Sequence, residues 1–233
     1  STLPIALKGH DVAGQAQTGT GKTAAFLIAA YQRVLTKSGG DTDVEDGKQK
    51  QPKVFILAPT RELAMQIASD AEVLGKHTGL KIALAYGGTG YEQQRRTIES
   101  GIDVLIGTPG RIIDYFKQGV FKLDQVQVAI LDEADRMFDL GFIKDIRYLL
   151  RRLPQPDQRL NMLFSATLSQ KVMELAYEHM NEPDLIRIEP DKMTADRVRQ
   201  AIFFPSNEDK MPLLVGLIRE MGVGRIMVFV NMK

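Results

Sequence analysis

The sequence predicts an α/β protein built on a doubly wound, mostly parallel sheet with helices on both faces. Short apolar runs alternate with longer segments of helical periodicity along most of the chain, as in successive βαβ units. Most of the apolar runs are near-continuous Val, Ile, Leu and Ala, which is the pattern of strands buried on both faces. The chain has 233 residues, enough for one large domain or for one domain and part of a second.

Seven strands are predicted from short apolar runs. In chain order they are DVAGQA at 11–16, KVFILA at 53–58, KIALAY at 81–86, DVLIG at 103–107, VQVAIL at 126–131, LNMLF at 160–164 and LIRI at 185–188. Between them, segments with helical periodicity predict helices at 22–35, 62–77, 91–100, 110–117, 143–152 and 170–180. Residues 38–52 are rich in Gly, Asp and Lys, and they predict a solvated surface loop.

The alternation pauses after residue 188. The polar stretch 189–200 predicts a linker, and a strand-like run at 201–204, a helix at 210–221 and a strand at 226–230 follow it. We therefore expect a first domain at 1–189, a linker with a first strand-like segment at 190–206, and the truncated start of a second domain at 207–233. Because a strand without its sheet recruits other strands, we expect residues 210–233 to be disordered, packed on a neighbour or swapped between chains.

Composition excludes several classes of function. The sequence contains no cysteine, which rules out disulfides, thiolate metal sites and a cysteine nucleophile. The formal net charge is +1, so any nucleic-acid site must be local. No uninterrupted apolar stretch of about 18 residues and no secretory signal occur, so we expect no membrane span; with no cysteine in the sequence, we expect a cytoplasmic location.

Residues 16–23, AQTGTGKT, follow a predicted strand and open a predicted helix, as a phosphate-binding loop does. Glycines let backbone N–H groups approach phosphate oxygens, and the N-terminus of the helix attracts the negative charge. Lys22 would reach the β- and γ-phosphates, and the Thr23 hydroxyl would bind Mg²⁺. The predicted nucleotide-binding residues are Ala16, Gln17, Thr18, Gly19, Thr20, Gly21, Lys22 and Thr23.

Carboxylates follow the apolar run at 128–131 in the order Asp132, Glu133, Ala134, Asp135. Solvated helix-capping acids are one interpretation, but they do not explain why Asp132 directly ends a buried strand. An acid that holds the metal through its water shell does explain it. We interpret Glu133 as the group that polarises the attacking water, so that Lys22, Asp132 and Glu133 are the catalytic candidates and Thr23 and Asp132 the metal ligands. Together these features predict a nucleoside triphosphatase.

Ser165 and Thr167 follow another predicted strand. Alone they are better explained by a helix cap, but ligands of open α/β sheets bind outside the carboxyl ends of strands, where the other motifs also fall.

These motifs, in this order, resemble the DEAD-box ATP-dependent RNA helicases over essentially the whole chain. The residues that carry the resemblance are the phosphate loop, PTRELA at 59–64, GG at 87–88, TPGR at 108–111, DEAD at 132–135, DLGF at 139–142 and SAT at 165–167. Four further segments are similar to the RNA helicase of the bacterial RNA degradosome: YGGTGY at 86–91, IKDIR at 143–147, RLNML at 159–163 and PSNEDKM at 205–211.

The resemblance implies two RecA-like domains that grip ATP, Mg²⁺ and single-stranded or duplex RNA, with a place in an RNA-degrading complex. It implies RNA-backbone contacts at Pro59, Thr60, Arg61, Gly88, Thr108, Pro109 and Arg111. Elementary chemistry agrees in part, because arginines donate hydrogen bonds to phosphates and small residues let the RNA backbone come close to the protein backbone. Thr60 and Thr108 could also serve as helix caps. The resemblance also implies that Asp135, Ser165 and Thr167 couple nucleotide state to RNA separation.

Two parts of the family pattern, the adenine-reading motif and the arginine finger of the second domain, are expected outside this chain. We therefore expect weak ATP hydrolysis from these residues alone. Two alternatives to an RNA-unwinding enzyme stay open from the sequence: an ATP-gated RNA clamp or assembly factor, and a DNA-directed P-loop helicase.

Overall fold

The structure is a computed structural model that describes residues 2–16, 19–37, 50–187, 201–222 and 224–230. The chain separates into two compact units, Ser1–Glu189 and Pro190–Lys233. Most of the predicted loop at 38–52 and all of the polar stretch at 189–200 lie outside the described residues.

The first unit is organised around a seven-stranded sheet in which every strand pair is parallel. The strands are β1 (Val12–Gln15), β2 (Val54–Leu57), β3 (Ile82–Ala85), β4 (Val104–Gly107), β5 (Val128–Leu131), β6 (Leu160–Ser165) and β7 (Asp184–Arg187). Their order across the sheet is β3-β4-β2-β5-β6-β1-β7. All seven predicted strands and the predicted fold class are confirmed.

Helices cover both faces of this sheet. They are α1 (Thr2–Leu7), α2 (Lys22–Lys37), α3 (Arg61–Gly75), α4 (Tyr91–Glu99), α5 (Pro109–Lys117), α6 (Ala134–Asp139), α7 (Ile143–Leu150) and α8 (Gln170–His179). Two of them, α1 and α6, were not predicted. Each has six residues, fewer than two turns, so it carries too little periodicity to be recognised.

The core consists of two apolar layers separated by the sheet. Along β2, Phe55 and Leu57 belong to one buried cluster, while Val54 and Ile56 belong to the other. Successive side chains of a strand point to opposite faces, so a strand covered on both faces must be apolar at every position. The near-continuous apolar runs of the sequence are explained by this arrangement.

The amino ends of β1 and β6 are joined by a buried polar network. The carboxylate of Asp11 accepts hydrogen bonds from the backbone N–H and the side-chain amide of Asn161, each at 2.7 Å. Asn161 in turn accepts from Arg159 Nε at 2.5 Å, and burial lowers the pKa of Arg159 to about 10. Because buried polar groups are costly unless paired, this network fixes the two strands side by side and leaves their carboxyl ends to form the opposite edge.

In the second unit, Lys210–Met221 forms helix α9, as its periodicity predicts, so the expectation of disorder is wrong for these residues. The predicted strand at 226–230 is also wrong: these residues have no regular secondary structure, and the Phe229 side chain is 87% exposed. Residues 201–204 likewise form no strand. A strand exists only when it is paired, and apolar, β-branched residues cannot form one without a neighbouring strand.

Among the residues that the structure describes, no helix combines the length and apolar character needed to cross a membrane.

Candidate functional site

The phosphate-binding loop predicted at residues 16–23 connects β1 to the first turn of α2. Gly19 and Gly21 have φ values of +83° and +77°, and a Cβ added to either would meet no atom within 4 Å. They are therefore required by the left-handed backbone rather than by lack of space. Gln17 and Thr18 lie outside the described residues. Lys22 and Thr23 are the first two residues of the 16-residue helix α2. The N–H groups of the first helical turn have no intrahelical acceptor and can donate to a bound anion.

Lys22 and Asp132 form a buried ion pair at this helix start. Lys22 Nζ lies 2.7 Å from Asp132 Oδ1, and the side chains are 7% and 0% exposed. Burial raises the pKa of Asp132, against the opposing effect of the Lys22 ammonium. The second oxygen, Asp132 Oδ2, is buried and has no hydrogen-bond partner among the described residues. The interpretation of Asp132 as a solvated cap is therefore wrong.

An unpartnered carboxylate oxygen beside a helix N-terminus fits a hard divalent cation bound with a phosphate. The structure describes no group of three or more His, Cys, Asp and Glu side chains that could hold a metal on its own. A cation held by Asp132 would therefore draw its remaining ligands from phosphate oxygens, water and the Thr23 hydroxyl.

Glu133 has a left-handed backbone conformation that could not be predicted from the sequence. Its φ and ψ are both 52°, in the left-handed region that non-glycine residues seldom adopt at a cost of about 1–3 kcal/mol. Its N–H donates to Asp132 Oδ1 at 2.9 Å, and its Oε2 lies 3.4 Å from Arg136 Nη1. The turn separates the directions of two consecutive carboxylates, so that they can act on different atoms.

Asp135 connects α6 to the end of β6. Its Oδ2 accepts hydrogen bonds from the Thr167 N–H at 3.0 Å and from the Thr167 hydroxyl at 3.1 Å, while its own N–H donates to Ser165 Oγ at 3.2 Å. Burial raises the pKa of Asp135, but hydrogen bonding by Ser165 and Thr167 outweighs it and the pKa lies below the ordinary value. The cap of α8 is Ser169, so Ser165 is not the helix cap that the alternative interpretation supposed.

The remaining predicted residues lie at the carboxyl ends of β2, β3 and β4, the other half of the same edge. Thr60 follows β2 and caps α3, where its hydroxyl accepts from Leu63 N–H at 3.3 Å. Thr108 follows β4 and makes no such side-chain cap to α5. Gly88 follows β3 with a φ of +105° and is exposed, whereas Pro59 and Pro109 are buried.

Both arginines of this half rest on aromatic rings. The Arg61 guanidinium carbon lies 4.8 Å from the centroid of the Tyr86 ring. That of Arg111 lies 4.7 Å from the Tyr91 ring, and its Nη1 donates to the Tyr115 hydroxyl at 3.2 Å. Stacking restricts each side chain but leaves N–H donors in the guanidinium plane for phosphate oxygens.

One residue of this half was missed by sequence reasoning. Gln94 on α4 accepts from the Tyr86 N–H at 3.0 Å and donates to the Thr89 carbonyl at 2.9 Å, so it bridges the loop that contains Gly88. Arg111 Nη1 also lies 3.5 Å from Gln94 Oε1. In the sequence, Gln94 is a polar residue inside a helix, and no signal distinguishes it from a solvated one.

The strand order brings the two halves together. β2 and β5 are neighbours with Leu57 opposite Leu131, so Thr60 and Asp132 emerge from adjacent strands. The predicted nucleotide-binding and coupling residues that the structure describes follow β1, β5 and β6, and the predicted RNA-binding residues follow β2, β3 and β4. One sheet edge thus presents a phosphate-binding helix start with a buried acid beside two ordered arginines and the exposed Gly88.

Comparison with known proteins gives consistent findings. A family model described as DEAD/DEAH box helicase matches residues 1–175. The whole chain aligns with proteins named ATP-dependent RNA helicase RhlB, at 59% identity in Pasteurella multocida and 60% in Haemophilus influenzae. It covers 53% and 55% of those proteins, so the chain spans about half the length of the curated relatives it matches.

Among solved structures, the crystal structure of a hypothetical ATP-dependent RNA helicase from Sulfolobus tokodaii is similar, with a TM-score of 0.68 and 32% identity. The match covers 81% of this chain and 51% of that one.

Proposed function

The chain belongs to the DEAD/DEAH box helicase family, and on that premise we propose that it is the nucleotide-binding half of an ATP-dependent RNA helicase. The observation that carries the proposal is the neighbouring position of β5 and β2. It sets Asp132, which is paired with Lys22, beside the start of α3 with Arg61, and β4 on the other side of β2 leads into α5 with Arg111. A nucleotide and a nucleic acid bound to these two halves would lie on one edge of one rigid sheet.

In this proposal, ATP binds at the start of α2. The Lys22 ammonium leaves Asp132 and pairs with the β- and γ-phosphates, while the loop N–H groups and the helix N-terminus supply further positive potential. The freed carboxylate of Asp132, through the water shell of the metal, and the Thr23 hydroxyl would hold Mg²⁺, which when bound neutralises phosphate charge. Glu133, aimed elsewhere by its left-handed backbone, polarises the attacking water.

RNA would bind along the other half through its sugar–phosphate backbone. Arg61 and Arg111 would donate to phosphates, and the exposed backbone at Gly88 permits close approach of the RNA backbone. Contacts of this kind carry no base information, so binding would be independent of sequence and sensitive to salt.

The Asp135 contacts support a coupling role for Ser165 and Thr167. The three residues connect the segment that follows β5, which contains Asp132, to the end of β6, the strand next to β1 and the phosphate loop. Ser165 and Thr167 are thereby held to the same edge as Asp132, and the second domain of the whole protein would respond to a change of nucleotide state there.

Similarity to the bacterial relatives supports a more specific proposal: a cytoplasmic enzyme that acts in bacterial RNA turnover as part of an RNA-degrading complex. In the full-length protein, an arginine from the second domain would complete the transition-state charge, an effect worth about 10³ to 10⁵ in rate.

The test is ATP hydrolysis by the full-length protein with single-stranded RNA, with single-stranded DNA and with neither, run beside a duplex-separation assay. We expect stimulation by RNA alone and ATP-dependent separation of RNA duplexes. Equal stimulation by DNA would favour a DNA-directed helicase. RNA-stimulated hydrolysis without duplex separation would favour an ATP-gated clamp.

A further inference from the structure

A row of exposed cations runs from the start of α7 to the turn that follows it, and the proposed mechanism does not use them. Lys144 begins the row, Arg151 and Arg152 end it at the start of the following turn, and Lys117 from the end of α5 lies beside it. We call these four residues the α7 basic stripe. They contribute four positive charges in a chain whose formal net charge is +1, so the stripe is a local concentration of charge.

The charge of the stripe is not neutralised locally. Arg147, on the same helix, is paired with Glu178 through two hydrogen bonds of 2.8 and 3.0 Å. Within the described parts of the chain, none of the four stripe residues forms a salt bridge with a carboxylate. Asp145 follows Lys144 directly, but consecutive helical residues do not face each other.

The stripe is partly ordered before any ligand binds. The Arg152 guanidinium carbon lies 3.4 Å from the centroid of the Tyr148 ring, and its Nη1 donates to the Tyr148 carbonyl at 2.7 Å. Lys117 Nζ lies 5.7 Å from the same ring centroid. Holding flexible cations in place lowers the entropic cost of binding an anion.

The stripe also borders concave surface. Lys144, Arg147, Tyr148, Arg151 and Arg152 line a cleft of about 430 Å³. A second cleft of about 520 Å³ shares Arg151 and continues past Arg159 and His179. From Lys144 to Arg151 the helix rises about 10 Å, which is enough for more than one phosphate group of a chain to lie along it.

The chemistry of this face favours phosphate over an acidic protein segment. Protein interfaces have a largely apolar centre, yet none of the large apolar side chains that are exposed in the described residues lies on α7. Stacking on bases is also not favoured, since Arg152 covers a face of the Tyr148 ring. What remains is a row of exposed cations, which recognises a phosphate backbone without reading sequence.

Position points to RNA as the source of those phosphates. Helix α5 begins beside Arg111 in the proposed RNA half and ends at Lys117 in the stripe, a rise of about 9 Å along one helix. We propose that RNA bound at Arg111 continues down this flank, and that the α7 basic stripe holds its phosphates. The proposal rests on the proposed function, because it extends the RNA path assigned there.

The test compares two triple variants of the 233-residue chain. The stripe variant carries Lys144→Gln, Arg151→Gln and Arg152→Gln. The matched control carries Lys8→Gln, Lys76→Gln and Lys122→Gln, which removes the same charge from exposed positions elsewhere. Both are titrated with a short and with a long single-stranded RNA of one composition, over a series of salt concentrations, after thermal unfolding has confirmed that each is folded.

We expect the stripe variant to bind the long RNA more weakly than the control does, and to bind the short RNA equally well. Three lost phosphate contacts should reduce the slope of log K against log salt by about 2. Identical slopes for the two triple variants would overturn the proposal, as would binding of polyglutamate at the stripe with RNA affinity unchanged. Arg111→Ala distinguishes failure of the stripe proposal from failure of the proposed function. If Arg111→Ala loses RNA binding while the stripe variant does not, the stripe proposal is contradicted and the proposed function is still supported.

Discussion

Replacing Lys22 by Met should destabilise the first unit as well as prevent nucleotide binding. The side chain of Asp132 is 0% exposed, and Lys22 supplies the positive charge 2.7 Å from its Oδ1. Met preserves most of the volume but leaves a buried, uncompensated carboxylate. Removing one partner of a buried ion pair costs about 3–5 kcal/mol.

The loss of unfolding free energy in Lys22→Met cannot exceed the free energy of protonating Asp132, because a protonated carboxyl group no longer needs a positive partner. A carboxyl with the ordinary pKa of about 3.9 can be protonated at pH 7 for about 4 kcal/mol, and at pH 5 for about 1.5 kcal/mol. Burial already raises the pKa of Asp132, and removing Lys22 raises it further. The folded state then binds more protons than the unfolded state above about pH 4, so the stability of the variant should fall as pH rises through this range.

The measurement is urea unfolding of Lys22→Met and the parent chain at pH 7 and pH 5. The difference in unfolding free energy should be up to about 4 kcal/mol at pH 7 and smaller by up to about 2–3 kcal/mol at pH 5, since the raised pKa of Asp132 already gives the parent chain part of this pH dependence. Adding Asp132→Asn, which keeps an acceptor for the Glu133 N–H without a charge, should remove the pH dependence and recover most of the loss. Lys37→Met, at an exposed position of the same helix, is the matched control.

Neither Lys22→Met nor the double variant should bind ATP, because each lacks the cation for the phosphates. If Lys22→Met proves as stable as the control at both pH values, the buried pair is not as described. If it binds ATP normally, the assignment of the phosphate loop is wrong.

The other predictions concern single residues along the edge. Glu133→Gln in the full-length protein should keep ATP and RNA binding but lose hydrolysis by a factor of about 10² or more, because an amide cannot accept the proton of water; near-normal turnover would assign the base elsewhere. Arg111→Ala should weaken single-stranded RNA binding about equally across sequences and lower the salt slope by about 0.7, with ATP affinity unchanged; a sequence-selective loss would contradict phosphate recognition. Asp135→Asn should lower stability by about 1 kcal/mol at pH 7. Since the pKa of Asp135 is lowered, this difference should fade as pH drops below about 4; an unfolding free energy independent of the substitution would remove the coupling argument. Gly107→Ala should destabilise the sheet, because the added Cβ would lie 2.2 Å from a neighbouring backbone carbonyl oxygen, and an unchanged urea midpoint would contradict that packing.

The fold was predictable because its signals are local and redundant. A strand buried on both faces must be apolar at each position, and that constraint is visible in the run at 54–57 without knowledge of its neighbours. The run at 226–230 is similarly apolar but forms no strand, since pairing depends on other segments of chain. Composition therefore predicts the capacity to form a strand, while the sheet decides whether it forms.

The candidate site was predictable in position but not in geometry. Parallel strands bring their carboxyl ends to one edge, so residues that follow strands meet there whatever their side chains do. The sequence could not reveal the buried pair of Lys22 with Asp132, the left-handed backbone of Glu133, or the bridge made by Gln94. Each depends on rotamers and on contacts between residues far apart in the chain.

At the carboxyl ends of the strands, hydrogen bonds connect each strand to the next across the sheet, and this limits where motion can occur. Thr108 N–H donates to Ala85, Ala58 N–H to Gly107, Asp132 N–H to Leu57 and Ala16 N–H to Ser165, all at 2.9–3.0 Å. The Asp135 hydrogen bonds to the end of β6 span the remaining gap. No single backbone segment of this edge can move without breaking buried hydrogen bonds to its neighbours. A response to nucleotide must therefore come from side chains that can change partner, above all Lys22 and Glu133, or from rigid displacement of the whole edge against a second domain. The proposed coupling of ATP to RNA consequently requires that second domain, because a rigid edge alone would hold both ligands without moving either.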